Sequence, residues 1–361
     1  MKEKPVISVI MSVYNGEEYL AEAIESVRRQ TFENWELIVI NDCSSDGTGA
    51  ILGKYAALDS RIRVYTNEVN IRLAASLNKA IELAEGKYTA RMDADDICMP
   101  DRLEKQYEFM ESNPGIKLSS CRFLTLKDGT AASGGGGGRC DSESVRALLL
   151  VTNPILHPGI IADSEIMKKL KYDTTLTCTE DLELWIRAVS NGYRIMIQDE
   201  YLMLYRLHDK QITETTHARQ CVEVAGIQKK YYSEFLEPMN EEQEKFYISG
   251  IYFRDKTDMA GFCDFFRRIK GVNKKRGAFD KNALNYAMLE ILAEYKRCGI
   301  SGAALMRGLL CFEPCFLIRE IRARKRRARE DGMRCIAAAE KIGLRHTGGA
   351  VEFPVFTGAG R

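Results

Sequence analysis

The sequence predicts an α/β fold: an open, doubly wound, mostly parallel sheet flanked by helices, followed by a helical C-terminal region. Three observations predict it. Short apolar runs alternate with amphipathic segments over residues 6–92, the pattern of repeated strand–helix units. The strands read as near-continuous hydrophobic stretches, as strands covered on both faces do. From about Thr216 the alternation stops and helical periodicity takes over.

Val6-Ile7-Ser8-Val9-Ile10-Met11 is the first strand, and Ser12-Val13-Tyr14-Asn15-Gly16 the turn after it. A helix over 17–30 places Leu20, Ile24 and Val27 on one face. The second strand, 36–40, ends at Asn41-Asp42. Cys43-Ser44-Ser45-Asp46-Gly47-Thr48 then supplies turn and capping residues. Helix 49–58, strand 62–65, helix 73–84 and strand 87–92 continue the alternation. Ligands of such sheets bind beyond the carboxyl ends of the strands, where Asp42, Asp93 and Asp95 stand.

A helix over 100–113 stops at Asn113-Pro114-Gly115, and a strand follows over 116–126. The glycine run Gly134 to Gly138 lacks the Lys-Ser/Thr of a phosphate loop and follows no strand directly, so it reads as a flexible loop. Helix 142–151 and the segment 155–162, with His157-Pro158, come next. Thr179-Glu180-Asp181 opens a helix that contains Trp185 and ends near Asn191. Two short strands, near 194–197 and 202–207, lead to His208. The expected organisation is a first domain over 1–215, a helical region over 216–345 and a disordered tail over 346–361.

The chain has 361 residues, 45% of them hydrophobic, enough for a sizeable core. A net charge of +1 provides no global field for nucleic acid. The 11 cysteines show neither zinc spacing nor a compact disulfide framework, so they are expected to be reduced, mostly buried thiols of a cytoplasmic protein. The N-terminus lacks a signal-peptide core, and no apolar run reaches the roughly 20 residues that span a bilayer. Seven basic residues lie between Arg319 and Arg329, after an apolar stretch. They form either a solvated helix face or a contact with an anionic membrane surface.

Arg91-Met92-Asp93-Ala94-Asp95-Asp96 carries the most chemistry. On strand alternation Asp93 and Asp95 share a face and Asp96 points elsewhere. Neighbouring carboxylates repel unless a cation lies between them, and hard oxygen ligands suit Mg²⁺ or Mn²⁺. The plainer alternative is a solvated acidic turn ahead of the next helix.

These pieces together resemble the family 2 glycosyltransferases of GT-A, Rossmann-like fold, over residues 5–213. The resemblance is carried by Val9-Ile10-Met11-Ser12-Val13-Tyr14-Asn15, Gln30-Thr31-Phe32, Glu36 to Asp46, Ala74-Ala75-Ser76-Leu77-Asn78, Ala90 to Asp96 and Pro100-Asp101-Arg102-Leu103. Asn153 to Pro158, Thr179-Glu180-Asp181 and Tyr205-Arg206-Leu207-His208 complete it. It implies an inverting transfer from a nucleotide diphosphate sugar, a UDP-sugar in most members, to a hydroxyl of a surface glycan or lipid-linked oligosaccharide. By the same resemblance Asp42 accepts a hydrogen bond from the base, and Tyr14, Asn15, Arg72 and Asp93 line the donor site. Asp95 and His208 hold a divalent metal. Asp181 is the general base, with Asp96, His157, Glu180 and Trp185 in acceptor-side or supporting places. The basic C-terminal helices would hold the chain at the inner face of the plasma membrane. Arg72 stands where the family usually has Gly, so it either strains the backbone, meets a phosphate or narrows the slot. Two other functions remain to be weighed: a non-catalytic nucleotide-sugar-binding scaffold, and a nucleotidyltransferase, which would want a Gly-rich loop with Lys after the first strand.

Overall fold

The computed structural model describes residues 4–127, 130–133, 140–208, 217–252, 258–341, 345–347 and 350–352. Its first half is the alternation expected: β1 (Ile7–Val13), α1 (Leu20–Arg28), β2 (Trp35–Asn41), α2 (Thr48–Leu58), β3 (Ile62–Thr66), α3 (Arg72–Leu83) and β4 (Tyr88–Arg91). β1 pairs in parallel with β2 on one side and β4 on the other, and β3 extends β2 in parallel. The chain therefore winds outward from β1 in one direction and then returns to its other side. That reversal leaves a crevice beyond the carboxyl ends of β1 and β4.

The faces of β1 explain its apolar run. Ile10 enters one core with Ile38, Leu77, Ile81 and Trp185. Val9, Met11 and Val13 enter the opposite core with Leu20, Ile24, Val27 and Leu37. Each such buried side chain contributes on the order of 1.5–3 kcal/mol.

Antiparallel strands complete the sheet. β5 (Ile97–Cys98) pairs with β9 (Ile195–Arg206), and β6 (Leu118–Lys127) pairs with β7 (Thr130–Ser133) and β8 (Ile161–Asp163). β8 joins β4, and β9 runs parallel to β6. The two short strands expected near 194–207 are one strand: polar Asp199-Glu200 reads as a break, but register shifts around Arg122 of β6 absorb it. Between these strands lie α4 (Arg102–Ser112), α5 (Ser142–Leu148), α6 (Ser164–Leu170) and α7 (Glu180–Ser190).

The C-terminal helices are α8 (His217–Phe235), α9 (Glu241–Phe246), α10 (Met259–Arg276), α11 (Lys281–Arg297), α12 (Gly302–Leu309) and α13 (Pro314–Lys341). Their buried aromatic residues, among them Tyr231, Phe262 and Tyr286, belong to the same core as Ile10 and Trp185. The helical region is thus fused to the sheet through shared apolar packing. Within the expected tail, β10 (Arg345–Thr347) and β11 (Ala350–Glu352) form a hairpin on β7 instead of unstructured chain. The open edge of β7 offers that hairpin its backbone partners. The pentaglycine segment and residues 353–361 lie outside the described residues.

No helix among the described residues is long and apolar enough to cross a membrane. Among the described cysteines only Cys98, Cys121 and Cys263 are buried, fewer than their apolar character led one to expect.

Candidate active site

The crevice is built first from the turns after β1 and β2. Asn15 and Cys43 both adopt positive φ, 51° and 63°, which turns the chain sharply beyond each strand. The Asn15 amide N–H donates to Ser44 Oγ at 3.0 Å, and its Oδ1 accepts from the Ser45 N–H at 2.8 Å. The two turns are thereby stitched into one wall, on which Tyr14 stays 54% exposed.

Asp42 lies beneath that wall, buried. Its Oδ1 accepts from Asn67 Nδ2 at 2.8 Å and from the Ile71 N–H at 2.9 Å; its Oδ2 accepts from the Arg72 N–H at 2.9 Å. The two backbone N–H groups are orphan donors at the start of α3, and a carboxylate there is favoured. Asp42 therefore has a job in the fold besides the base contact expected of it, and one lone pair of Oδ2 remains for a ligand. Arg72 sits exposed at φ 70°, in the left-handed region where its side chain costs energy.

The acidic stretch departs from the expectation of alternating faces. β4 ends at Arg91, so residues 93–96 do not follow strand geometry. Asp96 turns inward rather than away: ligand atoms of Asp93, Asp95 and Asp96 all lie within 4.8 Å of one another. Asp96 is fully buried. Its Oδ1 accepts from the Arg206 N–H at 2.9 Å, while its Oδ2 has no hydrogen-bond partner. Burial, then repulsion from Asp93 and Asp95, pushes its carboxyl well above the usual range. Asp93 is pushed up to about 6, by enclosure first, against the pull of Arg91 and with repulsion from Asp95 and Asp181. His208 Nε2 lies 2.9 Å from Asp95 Oδ2. The end of β9 is held by Arg206, whose Nε donates to the Asp95 carbonyl at 2.8 Å, so His208 is delivered to the cluster. A crowded set of hard oxygens, one of them buried and unpaired, fits a divalent cation such as Mg²⁺ or Mn²⁺.

Asp181 opens α7. Its Oδ2 accepts from Asn153 Nδ2 at 2.7 Å and its Oδ1 from the Leu182 N–H at 2.7 Å. Burial outweighs these bonds and raises its pKa above the ordinary carboxylate value. Neighbouring Glu180 is buried and pushed up to about 7, by burial and then by Asp181. His157 Nε2 lies 2.7 Å from the Tyr172 hydroxyl, and burial, then Arg91, drives its pKa well below the free value, leaving it neutral. Trp185 is fully buried edge-on to the His157 ring at 5.8 Å. It backs His157 and does not itself face the crevice.

Arg91, to which the motif assigned no role, joins these groups. It is 3% exposed and ion-paired with Asp93. Its charge also acts on Asp96, Tyr172 and Glu180, and on Asp181 and His157. The acid cluster and the start of α7 thus share one electrostatic environment. A charged residue in an otherwise buried strand was the available signal; Asn153 and Arg206 carried none beyond their place in the motifs.

Residues 8–123 match the profile of glycosyl transferase family 2. An uncharacterized glycosyltransferase of Methanocaldococcus jannaschii is 33% identical over 254 residues, covering 70% of this chain and 84% of that protein. The O-antigen biosynthesis glycosyltransferase WbnJ of Escherichia coli is 30% identical over 224 residues, covering 59% of this chain and 84% of WbnJ. Among solved structures, S. aureus TarS 1-349 in complex with UDP-GlcNAc superposes with a TM-score of 0.55 at 18% identity, covering 80% of this chain and 89% of that one.

Proposed function

The chain belongs to glycosyl transferase family 2, with the GT-A fold, and from that premise we propose that it moves a sugar from a UDP-sugar to a hydroxyl of a cell-surface glycan or lipid-linked oligosaccharide, with inversion. The observation that carries this reading is the crowding of Asp93, Asp95 and Asp96, whose ligand atoms lie within 4.8 Å of one another while one buried oxygen of Asp96 has no partner. The charges of Asp95 and Asp181 both act on Asp93, which supports a candidate base working beside that cluster. That the WbnJ relative is an O-antigen biosynthesis enzyme supports a surface-glycan acceptor. The complex of TarS with UDP-GlcNAc supports a uridine nucleotide. Transfer would take place in the cytoplasm, at the inner face of the plasma membrane.

The wall of Tyr14 and Asn15, with Asp42 beneath it and Arg72 at its rim, receives the nucleoside. Asp93, fixed by Arg91, faces the ribose and the sugar. Asp95, Asp96 and His208 would hold Mg²⁺ or Mn²⁺, which supplies charge neutralisation to the departing diphosphate. Asp181 takes the acceptor's hydroxyl proton as that oxygen bonds to the anomeric carbon and the carbon–phosphate-oxygen bond breaks. Each oxygen of Asp181 accepts one hydrogen bond within the chain, so a lone pair stays available for the proton. Its raised pKa makes it a stronger base than a solvated carboxylate, and Asn153 and the Leu182 N–H fix its orientation. His157, neutral and held by Tyr172, lines the acceptor side. Glu180 buffers the charge beside the base.

The test is release of UDP from a panel of UDP-sugars with and without Mn²⁺. Mn²⁺-dependent release that Asp95→Ala abolishes supports the reading. Donor binding without any turnover across the panel and with added glycan acceptors contradicts it.

A further inference from the structure

We propose that the outward face of α12 and α13 docks on an anionic phospholipid bilayer. Leu310, in the turn between the two helices, is 81% exposed, and Met306, Ile318, Ile321 and Met333 each expose half or more of their surface. Exposed basic residues stand between them: Arg322, Lys325, Arg326 and Arg329. At about 100° per residue, Ile318, Arg322, Lys325, Arg329 and Met333 fall within roughly 80° of one another on a single face.

The acids of α13 up to Arg334 lie off that face. Glu320 is buried against Arg324, at 3.7 Å, and Arg327. Asp331 Oδ1 accepts from Arg122 Nη1 at 2.6 Å and from the Tyr201 hydroxyl at 2.8 Å. Glu330, half-buried, lies 3.9 Å from both Arg326 and Arg334, beside the face and not on it. Phe316 packs inward with Phe312. Between Pro314 and Arg334 the helix thus turns Glu320 and Asp331 inward, and its exposed cations outnumber the one remaining acid, Glu330, beside exposed hydrocarbon.

That combination selects the occupant. A bilayer surface offers phosphate charge to the arginines and lysine and hydrocarbon just beneath it to Leu310 and Ile318. A second copy of the same face would set like charges against one another. A nucleic acid would satisfy the cations but leave the apolar side chains in water. No helix among the described residues can span the membrane, so the contact is interfacial. It stands whether or not the cleft transfers sugar.

The test is cosedimentation of the full chain with vesicles of phosphatidylcholine alone and of phosphatidylcholine with phosphatidylglycerol. Binding is expected on the anionic vesicles and near background on the neutral ones. The triple variant Arg322→Glu, Lys325→Glu, Arg329→Glu should lose at least roughly 100-fold in partitioning, about fivefold for each cation removed, with further loss from the three anions added. Leu310→Ser with Ile318→Ser should weaken binding while leaving the charge intact. Thermal melts and UDP titration of each variant report whether it is folded. Equal binding to neutral vesicles, no binding to anionic ones, wild-type binding by a folded triple variant, displacement from vesicles by RNA, or a dimer that the triple variant dissolves would each overturn the proposal.

Discussion

The carboxylate of Asp42 accepts the backbone N–H of Arg72 at 2.9 Å, and Arg72 sits there in the left-handed region at φ 70°. An L side chain in that region costs on the order of 1–2 kcal/mol. Arg72→Gly should therefore raise stability by about 1 kcal/mol, read as a shift in urea midpoint. UDP titration of the same variant separates the possible roles of the side chain. Affinity weakened at least tenfold would place the guanidinium on phosphate, unchanged affinity would make Arg72 only a strained turn residue, and tighter binding would show that it narrows the slot.

Glu180 is buried and pushed up to about 7, against 4.5 for the free group. Its proton is held by the folded chain but released by the unfolded one between those values, so stability falls as pH rises through that window. Glu180→Gln should leave melting nearly unchanged at pH 4.5. At pH 8 it should stabilise the fold, on the order of 1–3 kcal/mol. A variant less stable than wild type at pH 8 would show that the charge of Glu180 is compensated in the fold.

Asp96 has one oxygen bonded to the Arg206 N–H and one without a partner. Asp96→Asn removes repulsion from the cluster, so the metal-free protein should melt higher at pH 8. Its affinity for Mn²⁺ in the presence of UDP should fall roughly 10- to 100-fold, as measured by calorimetry. Unchanged Mn²⁺ affinity would take Asp96 out of the metal site.

Arg91 is the buried cation between the two acidic groups. Arg91→Met should destabilise by about 3–5 kcal/mol at pH 8, because it leaves buried carboxylates uncompensated. The loss should shrink toward pH 5 as those groups take up protons. A loss that does not change with pH would mean that packing, not charge, is what Arg91 supplies.

The alternation of continuous apolar runs with helical segments over residues 6–92 was enough to read β1 to β4 and the three helices between them, because strands covered on both faces stand out from the helices that cover them. The convergence of Asp96 with Asp93 and Asp95 was not readable in the same way. Strand alternation stops at Arg91, and the later residues are placed by Arg206 from a strand more than 100 residues away. The span of β9 was hidden by Asp199-Glu200, whose polarity marks a register shift in the pairing and not a chain break. The double duty of Asp42 was equally invisible, since its backbone donors at Ile71 and Arg72 lie about 30 residues on. The fusion of the C-terminal helices to the sheet core depends on which aromatic faces meet, which periodicity alone does not encode.

Replacing the candidate base tests the central claim most directly. Asp181→Asn keeps the shape of the side chain and removes its ability to take a proton. The account predicts that UDP and Mn²⁺ bind this variant within about twofold of wild type while turnover of a UDP-sugar with acceptor falls roughly 100- to 10,000-fold. Turnover near the wild-type rate with binding intact would contradict it.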